Sequence, residues 1–211
     1  MSKLLALYFY QVGFRFSELV LLMAIPLFFY ILPMENNLMN IPVIEVGNKL
    51  IGFNVIGLLI PLIVSAKILM QKRLPLREVA LITTIVATVT YLYTNFDPDV
   101  GIIIYFFAIP PMLAAAIAFI LKKDPRVNDY NTALMTYVCA TLGILIGADV
   151  LYLYHILQWW RPDGAVFIII GGAGVTDGIF LAGIIAVLFD LIFTCQEHNV
   201  VKDFVRMLKQ D

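Results

Sequence analysis

Six long apolar runs, each closed by a short polar stretch, dominate the chain. They fall at about 18–34, 54–71, 79–95, 102–121, 131–149 and 178–195. Each approaches the roughly 20 apolar residues that carry a helix across the hydrocarbon of a bilayer. The pattern predicts an all-α membrane protein, a bundle of about six transmembrane helices forming a single domain over 1–211. Pro26 inside the first run and Pro110-Pro111 inside the fourth each remove a backbone donor, so kinks are expected there. Residues 1–16, MSKLLALYFYQVGFRF, read as an aromatic-rich amphipathic helix lying in the interface.

Two of the connections are more than loops. Between the first two runs, IPVIEV and KLIGF flank a Gly-Asn pair, which predicts a β-hairpin. Between the last two, residues 150–176 are too apolar for a plain loop: LYLYHILQWW is followed by RPDG, AVFIII and GGAGVT.

Composition agrees with a lipid environment. The chain is 62% hydrophobic and 14% charged, with a mean hydropathy of +0.93, whereas soluble domains carry roughly a quarter charged residues. A net charge of −1 offers no broad basic field for nucleic acid. Cys139 and Cys195 both sit inside apolar runs and read as packing residues, so neither a metal site nor a cofactor is expected. No small-residue cleavage site follows the apolar stretch after Lys3, and no removable signal peptide is expected.

Charge also predicts orientation. Lys3, Arg15, Lys67, Lys72, Arg73, Arg77, Lys122, Lys123, Arg126, Lys202, Arg206 and Lys209 fall on one side of the six-span arrangement, leaving Lys49 and Arg161 opposite. Glu35, Glu45, Asp97, Asp99 and Asp163 fall on that opposite side. The positive-inside rule then places the chain in the cell membrane with both termini cytoplasmic and the β-hairpin outside.

Ionisable residues near membrane depth are expensive and therefore candidate functional groups. Glu18 follows Arg15 by one helical turn and is accounted for by an ion pair with it. Asp190 lies toward the basic side and is expected to pair with Lys or Arg there. His155, in YLYHI, reads as a hydrogen-bonded structural group, and Trp159, Trp160 and Arg161 as an interfacial belt. Asp149 and Asp177 differ, because a hairpin turning near Pro162-Asp163 carries each about 15–20 Å back to matching depth. Asp177 is also a good N-cap for the last span. Asp149 has no such role, since a negative charge opposes the dipole at a helix C-terminus.

Two carboxyls close together in a low dielectric cannot both ionise and share one proton. One can then accept a proton from water while the other donates to a peptide carbonyl or amine. Gly171, Gly172 and Gly174 permit close backbone approach beside Asp177. Gly143, Gly147, Gly178 and Gly183 flank the two aspartates and permit tight helix packing.

The stretches GAD149 and GGAGVTD177-GIFLAGIIAVL resemble a membrane-protein family catalogued only as a domain of unknown function, most strongly from Leu142 to Leu188. The two aspartate motifs in turn resemble those of the GxGD diaspartyl intramembrane proteases, which include presenilin, signal peptide peptidase and the prepilin peptidases. That resemblance implies catalytic roles for Asp149 and Asp177, with Gly172 and Gly174 as the substrate-side glycines. It differs in detail: the second motif reads G-A-G-V-T-D, Ala148 stands where those proteases carry tyrosine, and no Pro-Ala-Leu follows Asp177. The expected activity is hydrolysis of a membrane-anchored peptide. The alternatives are a proton- or cation-coupled carrier using the same aspartates, and a non-catalytic membrane scaffold.

Overall fold

The computed structural model describes residues 8–10, 12–31, 39–71, 73–97, 101–125, 127, 129–158 and 166–197. Trp159, Trp160 and Arg161, the Pro162-Asp163 turn and the Cys195 side chain lie outside them, as does half of the N-terminal amphipathic segment.

Among the described residues the fold is mostly helical with five short strands. Helix α1 runs from Phe16–Leu19 through a π-helical turn, Val20–Ala24, into Ile25–Ile31. Strands β1 (Asn40–Val46) and β2 (Lys49–Asn54) lead into α2, a π-helical turn Val55–Leu59 followed by Ile60–Met70. Then come α3 (Leu76–Tyr93), β3 (Thr94–Asp97), β4 (Gly101–Ile104) and α4 (Ile109–Lys122). Helix α5 (Thr132–Ile144) widens into a third π-helical turn, Leu145–Val150, before α6 (Leu153–Gln158), β5 (Val166–Ile170), a 3-10 turn (Gly174–Thr176) and α7 (Gly178–Glu197).

Each predicted run thus contains a helix. Two helices, Leu76–Tyr93 and Thr132–Gln158, are long and apolar enough to cross a membrane; the other four apolar helices are shorter. The fourth run is shorter than expected because Gly101–Ile104 pairs with Thr94–Asp97 instead of winding into helix. Phe106 then adopts φ +53°, a left-handed turn that breaks the chain before Ile109.

Prolines shape these helices in two ways. Pro26 and Pro61 each clash with the carbonyl four residues back, at Leu22 and Gly57, and both positions fall inside π-helical turns that open the ladder. Pro110 and Pro111 occupy the first turn of α4, so they start the helix rather than kink it.

The hairpin predicted around Gly47-Asn48 is present as β1 and β2, antiparallel, with Gly47 at φ +65°. The run AVFIII supplies β5, which pairs parallel to β2 and completes a three-stranded sheet in the order β1-β2-β5. This pairing gathers one end of the bundle, because β2 feeds α2 and β5 feeds α7. The same end includes the β3–β4 hairpin. It also includes α6, whose C-terminal carbonyls at Ile156 (3.3 Å) and Leu157 accept from buried Lys49 of β2. Tyr152 donates to the Thr94 carbonyl at the end of α3.

The opposite end is tied by polar contacts among loops. Glu18, fully buried, pairs with Arg73 at 2.8 Å and accepts from the Arg15 backbone N–H at 2.8 Å. The Arg15 guanidinium expected as its partner is therefore replaced by one 55 residues further along the chain. Arg73 also donates to the Gly13 carbonyl, and Asn131 to the Val12 carbonyl at 2.7 Å. Phe9 and Phe14 are buried, with Phe14 edge-on to Tyr137. This part of the N-terminal segment plugs the bundle end instead of lying on its surface.

Helix α5 is the centre of the molecule, with every residue of Thr132–Ile144 except Leu142 buried. It packs on α3 through Gly143 and Gly147 and on α7 through Gly183. A β-carbon at Gly143 would collide with Val86, one at Gly147 would lie 2.7 Å from Thr90 Cβ, and one at Gly183 2.6 Å from the Tyr137 ring. Cys139 is buried in this core beside Val79 and Met135, a packing residue as expected.

Candidate functional site

The two aspartates singled out by sequence both lie at the strand end of the α5–α7 pair, the most extensive helix–helix contact in the fold. Asp149 lies in the π-helical turn Leu145–Val150. The π-helical turns of α1 and α2 each accommodate a proline, but no proline lies in or just after this one. A π-bulge of this kind re-aims the side chains it carries and recurs at functional positions.

Asp177 is placed by its own loop. Its Oδ1 accepts from the Ile179 backbone N–H at 2.9 Å and its Oδ2 from the Ala173 N–H at 3.4 Å, so it caps α7 and closes the preceding turn. Burial pushes the Asp177 carboxyl above its ordinary range, against the lowering effect of these two donors. The Asp149 carboxyl lies in the electrostatic field of Asp177. Both side chains are half-buried.

The loop before Asp177 rests on α2. Gly171, at φ +76°, packs on the backbone of Gly57 and Leu58, and a β-carbon on Gly57 would collide with the Gly171 carbonyl and lie 3.0 Å from Asp177 Cβ. Asn54 fixes this turn of α2, accepting from the Ile56 and Gly57 N–H groups at 2.9 and 2.8 Å and donating to Asn40 at 2.8 Å. Gly172 is exposed, though a β-carbon on it would lie 2.9 Å from the Ile169 carbonyl oxygen, whereas one on Gly174, at φ +62°, would meet nothing within 4 Å. Ile104 and Phe107 wall the far side, each 3.4 Å from where a β-carbon on Gly178 would stand.

Asn54 and Gly57 are the site residues that sequence reasoning missed. Their signal was present: an Asn between a β-prone run and a long apolar run is an N-cap pattern. Asp190 lies thirteen residues beyond Asp177, roughly 20 Å along α7 by helical rise, and belongs to the other end. Among the described residues it makes no ion pair within 4 Å: it lies in the field of Lys122, which contacts Asp129 at 3.9 Å, and interacts with Thr132, while its Oδ1 has no hydrogen-bond partner. His155 is exposed, beside the rings of Tyr152 and Tyr154. Among the described residues, no group of three or more His, Cys, Asp or Glu could hold a metal ion.

Among known proteins, no curated protein and no solved structure matches the chain significantly. Residues 18–189 match the family model described as Protein of unknown function (DUF1614), a span that takes in the first helix, the sheet and both aspartates. The chain belongs to the DUF1614 family.

Proposed function

We propose that this protein is a multi-pass membrane hydrolase of the diaspartyl type, which cleaves a membrane-anchored peptide using Asp149 and Asp177. The observation that supports the proposal is that both carboxylates, one from an unforced π-turn and one from a helix cap, lie at the same end of two tightly packed helices, with Asp149 in the electrostatic field of Asp177. Asp177, whose two oxygens accept backbone N–H groups and so favour the carboxylate, would accept a proton from water as the water oxygen attacks the scissile carbonyl carbon. Asp149 would donate a proton to the carbonyl oxygen, and the C–N bond would break as the departing amine takes the proton held by Asp177 and the re-forming carbonyl returns its proton to Asp149. Gly172 and Gly174, on the open face of the loop, leave room for substrate backbone. Among the described residues β5 is an edge strand that runs directly into that loop, and an extended substrate can add to such an edge.

Membrane insertion of all six apolar helices is part of the same proposal. Leu27, Phe28, Ile63, Leu81, Met112, Ile120, Leu188 and Ile192 are exposed on their outer surfaces, where lipid is the favourable solvent. Under the positive-inside rule, Arg15, Lys67, Arg73 and Arg77 at the Arg73 end support a proposed orientation with both termini cytoplasmic and the aspartates toward the outer leaflet.

The test is cleavage of membrane-anchored peptides by the purified full-length protein in proteoliposomes. Asp149→Asn and Asp177→Asn should each abolish cleavage while the circular dichroism and melting temperature stay near wild type. Cutting at the wild-type rate by either variant would remove the dyad. One observation favours a proton- or cation-coupled carrier instead: the hydroxyls of Tyr137 and Thr141, buried side by side on α5, are polar groups inside the bundle. A carrier predicts ion flux in the same proteoliposomes, lost in both variants. A protein that shows neither cleavage nor flux is a scaffold.

A further inference from the structure

At the end of the bundle opposite the aspartate pair, a cavity of about 170 Å³ opens between the N-terminal segment and helices α4, α5 and α7. It is lined by Tyr8 and Val12, by Lys122, by Asn131 and Thr132, and by Asp190 and Thr194. Its chemistry is unbalanced. Asp190 is only 3% exposed, and its Oδ1 has no hydrogen-bond partner, which is costly for a desolvated carboxylate oxygen. The nearby ammonium of Lys122 is drawn outward to Asp129. Both polar ends of Asn131 are already used, one on Leu134 N–H and one on the Val12 carbonyl. The Thr132 hydroxyl donates to Asp190, and its oxygen lone pairs, with the Thr194 hydroxyl, line the cavity beside the carboxylate.

We infer that this cavity binds a small monovalent cation, with Asp190 as its counter-charge and Thr132 and Thr194 as neutral oxygen ligands. One carboxylate with hydroxyl oxygens compensates a single positive charge. Divalent sites, by contrast, recruit several carboxylates or a substrate phosphate. With a water occupying about 30 Å³ of liquid volume, the cavity accommodates an alkali ion that keeps part of its hydration shell, or a methylammonium-sized ion. The site is independent of the proposed hydrolase function: it lies at the other end of α7 and shares no residue with the aspartate pair.

The experiment uses the full-length protein in detergent. Its melting temperature is compared in sodium, potassium and methylammonium chloride against N-methyl-D-glucamine chloride at equal ionic strength, and ²³Na line broadening gives the affinity for sodium. At least one small cation should raise the melting temperature, and which one does identifies the ligand as metal or amine. Asp190→Asn should weaken that effect by roughly ten- to a hundredfold in apparent affinity, the size expected for losing a charged hydrogen-bond partner. Should Asp190→Asn fail to fold, Thr194→Val serves in its place and should weaken the same cation measurably. Asp149→Asn should leave the effect intact, which separates this site from the other. Equal melting temperatures in all four salts, or an undiminished cation effect in the variant, would overturn the inference.

Discussion

Gly57 and Gly171 meet backbone to backbone, and that contact positions the loop carrying Asp177. A β-carbon on Gly57 has nowhere to go except into the Gly171 carbonyl and against Asp177 Cβ. Gly171 is in turn held at φ +76° over the first turn of α2. Gly57→Ala should therefore displace the Asp177 loop before it disturbs the rest of the bundle. The expected cost is about 1–3 kcal/mol of overpacking, seen as a lowered melting temperature together with a loss of cleavage out of proportion to it. Gly174→Ala meets no neighbour, so its effect should be limited to the strain of a left-handed alanine, about 1 kcal/mol.

Arg73 neutralises the most deeply buried acid at the opposite end of the molecule. Glu18 is fully buried, and the Arg73 guanidinium links it to the Gly13 carbonyl, joining α1, the α2–α3 connection and the N-terminal segment. Arg73→Ala leaves a buried carboxylate without its cation and should cost about 3–5 kcal/mol. Glu18→Gln keeps an acceptor for the Arg15 N–H and should cost less. A double variant, Glu18→Gln with Arg73→Met, should recover part of the Arg73→Ala loss in thermal melts. If the two changes were simply additive, the pair would not be coupled.

What could be read from the sequence followed the range of the physics involved. Hydrophobic runs and turn chemistry are local, so the six helical segments and the Gly47-Asn48 hairpin were legible. The parallel pairing of β5 with β2 was not, because AVFIII is apolar on both faces and its period cannot separate strand from helix. The β3–β4 hairpin was absorbed into a predicted span for the same reason: GIII reads equally well as membrane helix. The partner of Glu18 was misjudged because Arg15 is close in sequence while Arg73 is close in space. The aspartate pair was visible as two unexplained carboxylates. Of its supports, Asn54 carried an N-cap signal in the sequence that was not used, while the close approach at Gly57 became visible only once the chain was folded.

Lys49 tests whether the sheet and α6 form one unit. Its ammonium, buried on β2, reaches the carbonyls of Ile156 and Leu157 at the C-terminal end of α6, where a positive charge complements unpaired acceptors. Lys49→Met preserves the apolar stem but removes the donors. It should cost about 1.5–3 kcal/mol and raise hydrogen exchange at the end of α6. Exchange at the Arg73 end should stay unchanged, since no contact of Lys49 reaches it.

Asp177 gives a pH dependence whose sign can be worked out. Burial raises its carboxyl above the ordinary range, more than the Ile179 and Ala173 N–H groups lower it. The folded protein therefore holds a proton there at pH values where the unfolded chain has released it. Stability must fall as pH rises from the ordinary carboxylate pKa, near 3.9, through the raised folded value, and the penalty is complete above that. Asp177→Asn cannot ionise and still caps α7, because asparagine is as good an N-cap as aspartate. Melting temperatures measured across acid to neutral pH should show the variant gaining on wild type as pH rises. Asp177→Ala loses the cap and should lie below Asp177→Asn at every pH, by about 0.5–2 kcal/mol. Parallel wild-type and Asp177→Asn curves would mean that Asp177 titrates normally in the fold, and that it caps the helix without being held in a desolvated site.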